Sequence, residues 1–168
     1  MPKQVILAAI NSPLGDITLV LDEDVILVCE FADREARVAK QLRHYYPGYH
    51  IVDGSAAPEI VSAFKAYFDG DLIAIEALKT APMGTAYEQT VWTALKNIPA
   101  GFHESYGAIA AKLNSSPRAV GRANGRNPIC LLHPCHRVIG ADGSLTGYAG
   151  GLNRKEWLLK HEGAILNL

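Results

Sequence analysis

From Asn127 the chain reads Asn-Pro-Ile-Cys-Leu-Leu-His-Pro-Cys-His-Arg-Val-Ile-Gly, and a glycine-rich loop follows that ends Leu-Thr-Gly-Tyr at Tyr148. The apolar run delivers Cys135 onto a turn fixed by Pro134, with the imidazole of His136 and the guanidinium of Arg137 directly behind it. Cationic neighbours favour the ionised thiol, and the thiolate is the form that attacks carbon. Chemistry is expected here, and the rest of the chain has to hold this turn in place.

A chain of 168 residues can bury a substantial core as one domain or as two small ones, and 20% charged residues against 49% hydrophobic ones fit a soluble globular protein. No apolar run is long enough to span a bilayer, and Met1-Pro2-Lys3-Gln4-Val5 lacks the layout of a signal peptide, so a cytoplasmic protein is expected. Three cysteines, Cys29, Cys130 and Cys135, are an odd number without metal-type spacing. Neither a disulfide framework nor a metal site is expected.

The net charge of −1 hides an internal asymmetry. Residues 1–84 carry 7 Lys and Arg against 12 Asp and Glu, a balance of −5, whereas residues 85–168 carry 9 against 5, a balance of +4. A phosphate-facing domain joined to a solubilising one would show this pattern, and so would drift between two surfaces.

β-Branched and aliphatic residues dominate Val5 to Ile10 and Ile17 to Phe31, broken at Ser12-Pro13-Leu14-Gly15 and Asp22-Glu23-Asp24, which predicts a three-stranded antiparallel meander. Asp33 is placed to cap a helix with Val38, Leu42 and Tyr45 on its apolar face, Ile51-Val52 can add a strand, and Pro58 opens a helix bearing Ile60, Val61, Phe64 and Phe68. Thr80 to Gly84 reads as a linker. Thr85 and Glu88 then form a capping box for a helix with Val91, Leu95 and Ile98 on one face, Ser105 caps a short helix, and Ser116-Pro117 opens a third. That third helix buries little beyond Val120, and Gly121 weakens it by about 1 kcal/mol relative to alanine, so something outside propensity favours small residues there. A last helix over 154–162, with Asn153 as its cap, carries the acid Glu162 in its final turn, where the macrodipole disfavours one. On residues alone, Glu162 reads better as a solvated surface side chain.

Pro134-Cys135-His136-Arg137-Val138 resembles the active-site signature of the O6-alkylguanine-DNA alkyltransferases. Asn127-Pro128, Gly147-Tyr148-Ala149-Gly150-Gly151 and the segment Lys155 to Gly163 stand at that family's spacing. The resemblance implies an α/β (α+β) protein with a ribonuclease-H-like α/β domain over residues 1–80, followed by a winged helix-turn-helix domain over 81–168 that binds DNA and transfers the alkyl group. It implies a methylated-DNA–protein-cysteine S-methyltransferase that moves the group once and irreversibly from O6-alkylguanine in double-stranded DNA to Cys135. It implies no cofactor, and leaves open O4-alkylthymine as a second substrate and cooperative binding of the monomer on DNA. Some relatives hold a structural zinc in the first domain, but Cys29, His44 and His50 are too few and too scattered for a tetrahedral site, so no metal is expected.

It also implies roles for residues. Cys135 would be the nucleophile, His136 a base acting through water, and Glu162 the group that orients His136. Arg118, Ala119, Gly121 and Arg122 would lie on the helix that enters the minor groove, with Arg118 filling the gap left by the flipped nucleotide. Tyr106 would donate to guanine N3 and crowd the target phosphate, and Asn127 would be the hinge between that helix and the reactive turn. Tyr148 and Ala149 would wall the pocket, and the carbonyls of Cys135 and Val138 would accept from the exocyclic amine. Ala149 stands where several relatives have serine, and His133 where an aliphatic residue is usual. A turnover cysteine hydrolase using Cys135, His136 and Glu162, and a non-catalytic winged-helix regulator, remain the alternatives.

Overall fold

The computed structural model describes residues 2–164. The chain is a mixed α/β protein of two compact units that divide between Met83 and Gly84. Among the described residues no helix is long and apolar enough to cross a membrane.

In the first unit β1 (Gln4–Ile10), β2 (Ile17–Asp22) and β3 (Val25–Phe31) form an antiparallel meander, with Ile6 opposite Leu21 and Val20 opposite Val28. After α1 (Glu35–Tyr45), β4 (His50–Asp53) returns parallel to β1, giving the order β3-β2-β1-β4. The central strand β2 buries Ile17, Leu19, Val20 and Leu21, and Val5, Val20, Leu27 and Val28 of the sheet pack with Val38 and Tyr46. Lys79 and Ala81 are tied to β3 through hydrogen bonds with Ile26, so the chain stays part of this unit almost to Met83.

Two details differ from the sequence reading. Asp33 is not the N-cap of α1: the chain enters α1 through a 3-10 turn at Ala32–Arg34, where Asp33 lies beside the Arg34 guanidinium, and Arg34 is the residue preceding α1. In α2 (Pro58–Phe68) the buried face is Ile60, Phe64 and Tyr67, at spacings of four and three, while Val61 is exposed.

The second unit begins with α3 (Ala86–Lys96). Thr85 Oγ1 accepts from the Glu88 amide at 3.1 Å and Glu88 Oε1 accepts from the Thr85 amide at 2.9 Å, closing the capping box. Gly84 precedes it because a Cβ there would stand 2.3 Å from the Trp92 ring. A short strand β5 (Glu104–Ser105) leads into α4 (Tyr106–Leu113), capped by Ser105 and ended by Asn114 in the left-handed region. Ser116 caps α5 (Pro117–Gly125), and Trp92 Nε1 donates to the Ala123 carbonyl at 2.9 Å, fixing α5 against α3.

β6 (Val138–Ile139) pairs parallel with β5, placing the start of α4 beside the exit of the turn that carries Cys135. The last helix, α6 (Leu152–His161), starts two residues earlier than its sequence implied. Its N-cap is Gly151 at φ 96°, a conformation that favours glycine, and Asn153 lies inside the helix.

Candidate active site

Two γ-turns shape the approach to Cys135. Around Leu131 the Leu132 amide donates to the Cys130 carbonyl at 2.9 Å, with Leu131 at φ 72°, the strained form of the turn. Around Pro134 the Cys135 amide donates to the His133 carbonyl at 2.7 Å, and Pro134 at φ −77° and ψ 68° sits at the relaxed inverse γ-turn. Cys135, His136 and Arg137 then form one 3-10 turn, all three buried. Because proline sets φ, the thiol leaves the turn in a direction the backbone dictates.

His136 Nε2 lies 3.0 Å from Glu162 Oε1. The same carboxylate accepts from Arg137 Nε and Nη2, each at 2.9 Å, while Arg137 Nη1 donates to the Ile98 carbonyl at 2.6 Å. Burial would raise the Glu162 carboxyl, but His136 and Arg137 outweigh it and hold the group ionised, well below the usual carboxylate range. Burial lowers the His136 imidazole below its ordinary value against the pull of Glu162, so the ring is neutral at physiological pH. With Nε2–H given to Glu162, Nδ1 is the acceptor, and it is buried without a hydrogen-bond partner among the described residues. An imidazole so oriented can take a proton at Nδ1. The expected pair His136 and Glu162 is therefore brought together, with Cys135 one residue away on the same turn.

Lys155 is fully buried on α6, and its ammonium donates to the carbonyls of Val138, Thr146 (2.7 Å) and Gly147 (3.3 Å). It ties the loop after β6 to β6 itself. Burial lowers its pKa to about 8, against a raising interaction with Cys135, which leaves it charged at neutral pH. Tyr106, at the first position of α4, donates to the Thr146 carbonyl at 3.2 Å, and the Lys155 ammonium stands 6.0 Å from its ring centroid. The Tyr148 ring meets His136 edge-on at 6.5 Å, and Ala149 beside it is partly exposed.

Asn127 donates through Nδ2 to the His133 carbonyl at 2.7 Å and accepts from the Ile129 amide at 3.1 Å, linking the end of α5 to the approach to Cys135. Arg118 and Arg122 of α5 are exposed, and Ala119 and Gly121 are partly so. A Cβ at Gly121 would meet the Tyr106 ring at 3.6 Å, an ordinary contact, so no packing inside the protein demands glycine there. His133 is buried, and its burial, with a smaller contribution from Lys96, lowers its pKa to about 4. Among the described residues no group of acids, histidines and cysteines is arranged to hold a metal ion.

Three residues of this centre escaped the sequence reading. Arg137 was noted only as a cation near the thiol, yet its fork is committed to Glu162. Lys155 falls with Leu158, Leu159 and Glu162 at the i, i+3, i+4, i+7 spacing of a buried face, a pattern that marks both charged residues as interior. Asn124 is buried on α5 and donates to the Cys135 carbonyl at 3.3 Å, with no comparable signal in the sequence.

The chain resembles known proteins along most of its length. The family model described as the DNA-binding domain of 6-O-methylguanine DNA methyltransferase matches residues 86–164. The chain is 44% identical over 162 residues to the methylated-DNA–protein-cysteine methyltransferase of Salmonella typhimurium, covering 94% of this chain and 95% of that one. It is 42% identical over 159 residues to the same-named protein of Methanosarcina acetivorans, covering 94% and 97%. The solved structure of Mycobacterium tuberculosis OGT in complex with DNA superposes with a TM-score of 0.79 at 38% identity, covering 95% and 94%. With this likeness along nearly its whole length, and a buried cysteine–histidine–glutamate cluster inside the region the family model matches, the chain belongs to the methylated-DNA–protein-cysteine methyltransferase family.

Proposed function

We propose that this protein repairs DNA by moving the alkyl group of O6-alkylguanine onto Cys135. The observation that carries the assignment to Cys135 is its turn: Pro134 aims the thiol, and His136, next in sequence, is held by Glu162 with Nδ1 as its free acceptor. The Cys135 proton passes through a water to His136 Nδ1, the thiolate attacks the alkyl carbon, and the C–O6 bond breaks as the S–C bond forms. The guanine regains its carbonyl and takes a proton at N1 from water, and the His136 imidazolium returns its proton to that water, so the ring ends neutral. The thioether has no route back to thiol here, so each molecule acts once, and the chemistry calls for no cofactor.

The C-terminal unit acts as a winged helix-turn-helix, with α4 and α5 as its two helices, and the N-terminal unit is its ribonuclease-H-like scaffold. Arg118 and Arg122 face outward beside Ala119 and Gly121, and the space at Gly121 suits a backbone pressed into the minor groove. A methyl on a stacked guanine is out of a buried thiol's reach, so the base flips out, with Arg118 filling the gap. Tyr106 exchanges its Thr146 carbonyl for the base, and Tyr148 and Ala149 wall the pocket. The Val138 carbonyl has a lone pair left for the exocyclic amine, whereas the Cys135 carbonyl already accepts from the Val138 amide and Asn124. The protein works in the cytoplasm as a monomer.

Intact-mass analysis after exposure to duplex DNA containing O6-methylguanine tests the reading. Wild type should gain one methyl on Cys135 with no further turnover, and Cys135→Ser should gain none while still binding DNA. Repeated turnover at unchanged protein mass would instead identify a hydrolase.

A further inference from the structure

The buried residues of α5 are Val120, Ala123 and Asn124, and only the last is polar. Its Nδ2 donates to the carbonyl of Cys135 at 3.3 Å, and the Val138 amide reaches the same oxygen. The peptide that carries the thiol is thus held from both sides, once by its own turn and once by the helix. The helix end that makes this contact cannot drift freely, because the neighbouring Ala123 carbonyl is held by Trp92.

We propose that Asn124 is a positioning residue for alkyl transfer, carrying the placement of α5 to the peptide of Cys135. This rests on the reading of Cys135 as nucleophile and α5 as the DNA-docking helix. Stability does not account for an amide at this position: Asn124 Oδ1 is buried and accepts no hydrogen bond among the described residues, an arrangement that costs the folded state. An apolar side chain would fill the space without that penalty. What asparagine adds is its donor. Together with Asn127, which holds the His133 carbonyl, it straps the carbonyls on either side of Pro134 to the end of α5. Displacement at the alkyl carbon needs sulfur, carbon and O6 in line, so the aim of the peptide sets the rate even when the thiol's own reactivity is unchanged.

The test compares wild type with Asn124→Leu and Asn124→Ala in single-turnover alkylation by O6-methylguanine duplex DNA, alongside DNA affinity and the rate of Cys135 with iodoacetamide. The saturating rate should fall about 10- to 100-fold in both variants, while DNA affinity and the iodoacetamide rate stay within about threefold, because a small mobile reagent follows the thiol wherever it points. A saturating rate near wild type in either folded variant overturns the proposal. So does an equal loss with iodoacetamide, which would make Asn124 a determinant of thiol reactivity, or a loss confined to DNA affinity. The wild-type mass gain on Cys135 separates the two readings: if it is missing the nucleophile assignment fails, and if it is present with unaffected variants only this inference fails. Should neither variant fold, hydrogen exchange of the Asn124 side-chain amide in wild type decides, with slow exchange expected and exchange at the solvent rate refuting the bond.

Discussion

Glu162 grips Arg137 edge-on, Oε1 to Nε and Oε2 to Nη2, both at 2.9 Å, with both side chains buried. The same carboxylate thus holds His136 Nε2 at 3.0 Å and is the counter-ion of Arg137 at once. An acid at the C-cap of α6 is disfavoured by the helix dipole, and this guanidinium offsets that cost.

Glu162→Gln should therefore damage two properties separately. Leaving Arg137 buried without its counter-ion should cost about 3–5 kcal/mol in urea unfolding, and disorienting His136 should slow alkylation roughly 100-fold. The double variant Arg137→Met/Glu162→Leu should regain most of the stability, because a buried ion pair is replaceable by apolar side chains, yet stay slow. Full recovery of the alkylation rate in the double variant would remove Glu162 from the proton path.

Lys155→Met should loosen the loop between β6 and α6, since the carbonyls of Val138, Thr146 and Gly147 lose one shared ammonium. A loss of roughly 3 kcal/mol is expected in urea unfolding, with new protease cleavage between residues 140 and 150. An unchanged cleavage pattern would show that the loop holds without this lysine.

His133 makes stability depend on pH. Its folded pKa of about 4 lies below the ordinary 6.5, so from pH 6.5 downward the unfolded chain takes up a proton that the folded protein refuses until about pH 4. The unfolded state binds more protons in that window, and stability falls as pH falls through it. Between pH 7.5 and 5 this histidine alone should remove ~2 kcal/mol. His133→Val should abolish that share of the pH dependence, measured as the difference in urea midpoints at the two pH values. Identical pH profiles for the two proteins would contradict the burial argument.

Much of the second unit is legible in the sequence because its signals are local. Thr85 with Glu88, Ser105, and Ser116 before Pro117 each satisfy backbone amides within a few residues, and all three helices start where these residues imply. The meander of β1 to β3 follows from period and breakers alone. Asp33 and Asn153 fail for the same reason: a residue able to cap is not obliged to, and the chain entered α1 through a 3-10 turn and α6 through a glycine of positive φ.

Written in the order of residues are the groups available around Cys135: the proline-fixed turn, the adjoining imidazole, and an acid out of place in the last turn of a helix. What holds them comes from packing between segments distant in the chain. Arg137 joins Glu162 across 25 positions, Asn124 reaches Cys135 across 11, and Lys155 reaches Val138 across 17. A polar side chain reveals its partner only where burial removes water as the alternative, and that burial is a property of how β6, α5 and α6 pack around the turn.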